Sequence, residues 1–184
     1  MANKFNVSRT PIREGCNRLL KEDLLQSIPY KGYIVSPVNL QDLHELYQLR
    51  LVLEPFAAEL AARNPSPRFI EKLRNRLHEA SQQPGTTFTQ FVEADLDFHN
   101  LLAQGCGNRR LGRVISDLRY QIERLIYLLY ENYGPYHEIS FDDHTEVVQA
   151  VEDRNGDLAR ELVSSHIENY KVRALQALAS ERLA

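Results

Sequence analysis

Asp95-Leu96-Asp97-Phe98-His99 sits in a run whose apolar residues, Phe88, Phe91, Val92, Phe98 and Leu102, recur at helical spacing. Asp95 and His99 fall inside that apolar stripe and not on the opposite polar face. The spacing therefore predicts a helix that points a carboxylate and an imidazole inward. Residues four apart on a helix are neighbours on consecutive turns, so both groups can reach one point, as chelating ligands do. Left unpaired in an apolar interior they would cost several kcal/mol, so they satisfy each other, meet an arginine, or share a cation. His144 lies in line with Val147, Val148 and Val151, and His166 in line with Leu158, Leu162 and Tyr170. Three helices thus each direct a metal-type ligand toward the core. One aspartate with three histidines is an oxygen and nitrogen donor set suited to a divalent ion, zinc first, with nickel or manganese as alternatives.

The 184 residues fit one medium domain, or a small domain joined to a larger one, and a 43% hydrophobic content is enough for a sizeable core. No stretch has the pattern of a signal peptide or a membrane span. Cys16 and Cys106 make neither a disulfide framework nor a cysteine metal site, so a reducing cytoplasm and no membrane partner are expected. The formal net charge of −3 is unevenly divided. Residues 1–36 hold six basic and three acidic residues, a net of +3, which leaves −6 for the remainder. A basic end on an acidic body implies two parts that meet different partners.

The basic end reads Phe5-Asn6-Val7-Ser8-Arg9-Thr10-Pro11-Ile12-Arg13-Glu14. Ser8 is a good N-cap for a helix starting at Arg9, Pro11 is tolerated in its first turn, and Ile12, Cys16, Leu19 and Leu20 form its apolar stripe. Two short β-type runs follow, Leu24 to Ser27 and Tyr33 to Val35, around Pro29-Tyr30-Lys31-Gly32, where Gly32 permits a tight turn and Lys31 projects from the tip. A short turn, a basic helix and a hairpin match the second half of a helix-turn-helix with its wing. Ser8, Arg9, Thr10, Arg13 and Lys31 are then the candidate contacts to double-stranded DNA. A plain basic helical hairpin is the other reading of the same residues.

The run Val7 to Glu14, followed by the Lys31-Gly32 turn, resembles the winged helix of the GntR family of bacterial transcription regulators. Leu49-Arg50-Leu51-Val52-Leu53-Glu54, Asp95 to His99, Gly107-Asn108, His144 and His166 resemble the effector-binding FCD domain of its FadR-type branch. The resemblance implies an all-α chain. Residues 38–184 would be an antiparallel helical bundle of FCD type, and residues 1–37 a partial winged helix-turn-helix domain. It implies a metal held by Asp95, His99, His144 and His166, and a small organic-acid effector that coordinates the metal through an open position. It also implies a homodimer on operator DNA. Family members carry a further strand and at least one helix ahead of the point where this chain starts, so an incomplete winged helix is expected. Gly15 stands where the family has a better helix former, at a cost of about 0.5–1 kcal/mol relative to Ala.

From Asn39 onward the pattern is helical. Asn39 caps a helix to about Arg63 with Leu43, Leu46, Arg50, Leu53, Ala57 and Leu60 on one face, kinked or bent at Pro55. Further helices are expected over Ser66 to Gln83, from Thr86 or Thr87 to Gly105, from Asn108 to Tyr133, from Phe141 to Asp153, and from Asp157 to the end. Pro84-Gly85, Gly134-Pro135 and Asn155-Gly156 are the breaks between them. Arg50 is the exception on its stripe, because an always-charged fork facing a core must meet an anion. Its partner is either Asp95 or Glu123 in a salt bridge or, as the resemblance implies, the effector carboxylate. Tyr130 and Asn169 lie where the family has effector contacts. His44, His78 and His137 fall on polar or loop positions and read as solvated. Two other functions stay open. One is a stand-alone effector module without DNA binding. The other is a metal-dependent hydrolase, against which stands the lack of a general base beside the ligands, since Asp97 points off the stripe.

Overall fold

The computed structural model describes residues 8–21, 24–37, 40–81, 87–133 and 141–180, and the chain divides into two compact units, Met1–Asn39 and Leu40–Ala184. Among the described residues there are seven helices and one two-stranded sheet.

In the first unit, helix α1 spans Arg9–Lys21, and strands β1 (Leu25–Ile28) and β2 (Gly32–Val35) pair antiparallel, with Leu25 opposite Val35 and Ile28 opposite Gly32. Each strand begins or ends one residue from its expected limit. The turn between them is built by positive φ at Tyr30 (63°) and Gly32 (100°). Gly32 adopts such a conformation without the clash a side chain would cause. Of the expected stripe on α1 only Cys16 is buried; Leu19 is 37% exposed, and every residue of β2 is exposed.

The second unit is an all-helical bundle. Its helices are α2 (Leu40–Arg63), α3 (Pro67–Ser81), α4 (Phe88–Gly105), α5 (Arg109–Tyr133), α6 (Asp142–Glu152) and α7 (Gly156–Ser180). Asn39, Gln83, Thr86, His137 and the breaks at Pro84-Gly85 and Gly134-Pro135 lie outside the described residues. Helix α2 packs most extensively on α7, and also on α4, α5 and α6. Pro55 is buried within it and the helix runs on through, without the break its missing N–H would permit. Small side chains are buried on both helices, Ala58, Ala61 and Ala62 on α2 and Ala159 on α7, while Ala57 packs with Ala103, Cys106 and Ile115.

Local signals fix the ends. Thr87 and Gln90 form a capping box at the start of α4, the Thr87 hydroxyl accepting from Gln90 N and Gln90 Oε1 accepting from Thr87 N. Asn108 Oδ1 accepts from Arg110 N and Leu111 N at the start of α5. The last turn differs from expectation. Asn155 is a cap, its Oδ1 accepting from Leu158 N, so α7 starts at Gly156, and the left-handed residue is Arg154 (φ 55°), not the glycine. At the other end of α4, a Cβ on Gly105 would collide with the Phe69 ring, so the crossing of α3 and α4 depends on the bare backbone there. Leu43, Leu73, Ile115, Ile122, Leu125, Val151, Val163 and Ile167 are each at most 1% exposed. Each such aliphatic side chain contributes about 1.5–3 kcal/mol by leaving water.

Candidate metal centre

Helix α4 carries Asp95 and His99 into the bundle on consecutive turns, with Phe91, Val92, Phe98 and Leu102 buried beside them. Helix α6 buries His144 with Val147, Val148 and Val151. On α7 the buried stripe is Ala159, Val163, His166, Ile167, Tyr170 and Ala174; Leu158, expected inside, is 40% exposed. The four candidate ligands are each no more than 5% exposed, and one donor atom from each lies within 4.8 Å of the others.

Asp95 Oδ1 is the hub. His144 Nε2 is 3.3 Å from it, His99 Nε2 3.5 Å and His166 Nε2 3.6 Å, while His99 Nε2 and His166 Nε2 are 3.2 Å apart. Ligands at about 2.0–2.2 Å from a shared tetrahedral ion sit roughly 3.3–3.6 Å from one another. These separations match. Despite them Asp95 Oδ1 accepts no aligned hydrogen bond, and both ring nitrogens of His144 lack a hydrogen-bond partner.

The outer ring nitrogens explain how the imidazoles are set. His166 Nδ1 lies 3.1 Å from Asp143 Oδ2. His99 Nδ1 lies 2.6 Å from Glu54 Oε2. A carboxylate at Nδ1 favours the tautomer with its proton there, which turns the Nε2 lone pairs toward each other and toward Asp95 Oδ1. Lone pairs and a carboxylate charge that converge in an apolar interior repel one another unless a cation lies among them.

The electrostatics differ from ligand to ligand. Burial pushes the His144 imidazole down to about 4 in spite of the pull of Asp95, so it is neutral near pH 7 and keeps a lone pair to donate. Burial opposes ionisation of Asp95, but Arg119 and then His99 outweigh it and hold the carboxyl well below the usual range. His166 is lowered by burial and raised more strongly by Asp143 and Asp95, for a net upward shift. The geometry of the four donors fits a divalent cation, for which His166 would give up the proton that Asp143 and Asp95 favour on it.

A second layer surrounds these four, and the sequence reading found only part of it. Arg50 is 2% exposed, as its stripe required, but its partner is neither Asp95 nor Glu123. Its Nε donates to Glu54 Oε1 at 2.8 Å, one turn along α2, and its guanidinium lies over the Tyr47 ring at 5.1 Å. Glu54 and Arg119 were missed. Arg119 is 1% exposed and donates Nη2 to Asp95 Oδ2, with Nη1 3.9 Å from Glu54 Oε2. Its place between Ile115 and Ile122 at helical spacing was a usable signal, the same one that singled out Arg50.

Two expected effector contacts do not join this layer. Tyr130 is 36% exposed and stacks on Phe88 with ring centroids 3.8 Å apart. Asn169 is exposed, although it follows His166 by three residues, because the helical turn carries it off the buried stripe. The tyrosine at the cluster is Tyr170, its ring centroid 4.6 Å from that of His166. Asp97 pairs with Arg76 at the surface and brings no base to the ligands. A cleft of about 720 Å³ lined by Arg68, Asp97, Ser116 and Tyr120 lies elsewhere, among charged surface side chains. In the first unit Ser8, Arg9, Thr10, Arg13 and Lys31 are all exposed, together along the start of α1 and on the β1–β2 turn.

Residues 45–169 match the family model described as FCD domain. Over 170 residues the chain is 28% identical to the uncharacterized HTH-type transcriptional regulator YdhC of Bacillus subtilis (strain 168), covering 90% of this chain and 75% of that one. It is 26% identical to the Nta operon transcriptional regulator of Aminobacter aminovorans, covering 92% of this chain and 79% of that one. Its backbone is similar to the crystal structure of a GntR family transcriptional regulator from Pseudomonas syringae pv. tomato, with a TM-score of 0.69 and 25% identity, covering 99% of this chain and 76% of that one.

Proposed function

Because the chain belongs to the GntR family of transcriptional regulators, in the branch with an FCD domain, and is no enzyme, we propose that it is an operator-binding regulator responsive to a small carboxylate effector and a divalent metal ion. The ligands are Asp95, His99, His144 and His166, with zinc the best match to three imidazoles and one carboxylate and nickel or manganese also compatible. The single observation that carries this reading is Asp95 Oδ1, a buried anionic oxygen with no aligned donor, ringed by three imidazole nitrogens at 3.3–3.6 Å. When bound, the ion would supply positive charge and, by expanding from four donors to five, a coordination position for an anion.

The chain's own residues do the rest. Arg50, whose charge is felt at both Asp95 and His166, is the candidate grip for the effector carboxylate. Tyr130 and Asn169, facing solvent, stand outside that site. Helices α2, α4, α6 and α7 meet at the centre, so an anion drawn there is coupled to their relative setting, and operator affinity changes by the coupling free energy. Arg9, Thr10 and Arg13 at the start of α1 read the major groove with Ser8, and Lys31 meets phosphate from the wing. A homodimer supplies two such readers for two half-sites, and the cytoplasm is its compartment. No helix among the described residues is long and apolar enough to cross a membrane.

The test is a gel shift of the full chain on the DNA upstream of its own coding sequence, with chelator, with zinc, and with zinc plus a panel of small carboxylates. A shifted band that responds to one carboxylate only in the presence of metal is expected. A band indifferent to chelator and to every carboxylate would refute the sensing role.

A further inference from the structure

Arg119 is buried to 1% exposure, yet it has little holding it there. Its Nη2 donates to Asp95 Oδ2, Nη1 approaches Glu54 Oε2 only to 3.9 Å, and both Nε and Nη1 lack a hydrogen-bond partner. A buried guanidinium normally has its donors satisfied, and one that spends a single close hydrogen bond is an expensive way to stabilise a helix pair. Arg50 makes the contrast. It is tied within its own helix to Glu54 and packed over Tyr47. Arg119 touches a ligand directly, at the oxygen the imidazoles do not face. Asp95 is thereby divided into Oδ2, turned to the arginine, and Oδ1, turned to the three Nε2 atoms.

We propose that Arg119 is a positioning residue of the metal centre: by occupying Asp95 Oδ2 it limits Asp95 to a single ligating oxygen and so keeps the protein's donor set at three nitrogens and one oxygen. This rests on the metal reading above and adds to it a determinant of ion choice. Cations that favour chelating carboxylates and many oxygens are disfavoured by a one-oxygen aspartate, and zinc, content with four donors, is favoured. Glu54 completes the frame. It pairs with Arg50 and faces His99 Nδ1 and Arg119 Nη1, so the four buried charges, two positive and two negative, balance without the ion.

The experiment titrates the full-length wild type, Arg119→Gln and Arg119→Lys with zinc and with cobalt(II), whose visible absorption falls in intensity as coordination number rises. The wild type should give an intense cobalt band. Arg119→Gln should bind zinc about 10–100-fold more weakly, the usual cost of losing an outer-shell partner, and its cobalt band should weaken as Asp95 Oδ2 becomes free to coordinate. Arg119→Lys, which keeps a charged donor, should recover most of both properties. Unchanged zinc affinity and an unchanged cobalt spectrum in Arg119→Gln would overturn the proposal while leaving the metal reading intact. A wild type that takes up neither metal would overturn both. Should Arg119→Gln fail to fold, the metal-minus-apo infrared difference spectrum of the wild type decides. The wide carboxylate splitting of a one-oxygen ligand supports the proposal, and a narrow chelating splitting refutes it.

Discussion

In the helical bundle Asp95, His99, His144 and His166 are all within 5% of complete burial, whereas in the first unit Ser8, Arg9, Thr10, Arg13 and Lys31 all face solvent. Polar groups in the first setting must be answered by a partner inside the protein, or the fold loses stability. Those in the second are hydrated at no cost until a polyanion arrives. Substitution in the bundle should therefore change stability and metal content together, and substitution on α1 or the wing should change DNA affinity alone.

The largest effect is expected at Asp95. Asp95→Ala removes the hub oxygen and leaves Arg119 a buried cation without its one close acceptor, so denaturant unfolding of the metal-free protein should show a loss of about 3–5 kcal/mol. A loss under 1 kcal/mol would mean that the bundle interior is far wetter than its burial implies. His144→Ala comes next. Its ring has no hydrogen-bond partner, so the metal-free protein should lose chiefly packing against Phe98, whose ring centroid lies 4.2 Å away. The metal-loaded protein should lose in addition the stabilisation that ligand binding confers, about 2.7 kcal/mol at a hundredfold excess over Kd. Equal melting shifts with and without metal, together with unchanged metal stoichiometry by elemental analysis, would strike His144 from the ligand set.

At the exposed region, Arg9→Ala or Arg13→Ala should weaken operator binding by about 1–3 kcal/mol where the side chain reaches a base edge. Lys31→Ala should weaken it evenly across sequences and lower the salt slope by about one. All three should unfold within about 0.5 kcal/mol of the wild type. A matching loss of stability would erase the distinction between the two regions. The smallest effects belong to Tyr130→Phe, which keeps the stack on Phe88, and Asn169→Ala. Both should leave metal content and effector response unchanged, and a lost response would extend the effector site to the surface.

What the sequence made legible follows the same division. Asp95 and His99 were readable because their stripe is made of large apolar residues at clean helical spacing, and His144 because three valines mark its side of α6. His166 was assigned to the interior through companions of which Tyr170 is buried, Leu162 half-buried and Leu158 exposed. Helix α7 is buried through Ala159, Val163, Ile167, Tyr170 and Ala174, while Leu158 near its start faces water and the small Ala159 beside it packs instead. Arg50 was seen as buried, but its partner was sought on other helices, although Glu54 sits one turn along the same one. Arg119 and Glu54 escaped because charged residues are ordinarily read as solvated, and only their spacing against Ile115, Ile122 and Arg50 marks them as internal. On the first unit only Cys16 of the expected α1 stripe is fully buried, with Ile12 and Leu20 half-buried and Leu19 exposed. Periodicity reports which face could be covered, not that something covers it.

The most direct measurement is an anomalous-difference map from crystals of the full chain grown with zinc and collected at the zinc absorption edge. The account predicts one strong buried peak per chain, about 2.0–2.2 Å from Asp95 Oδ1 and from an Nε2 atom of each of His99, His144 and His166. A map with peaks only at surface histidines, or with none inside the bundle, would contradict it.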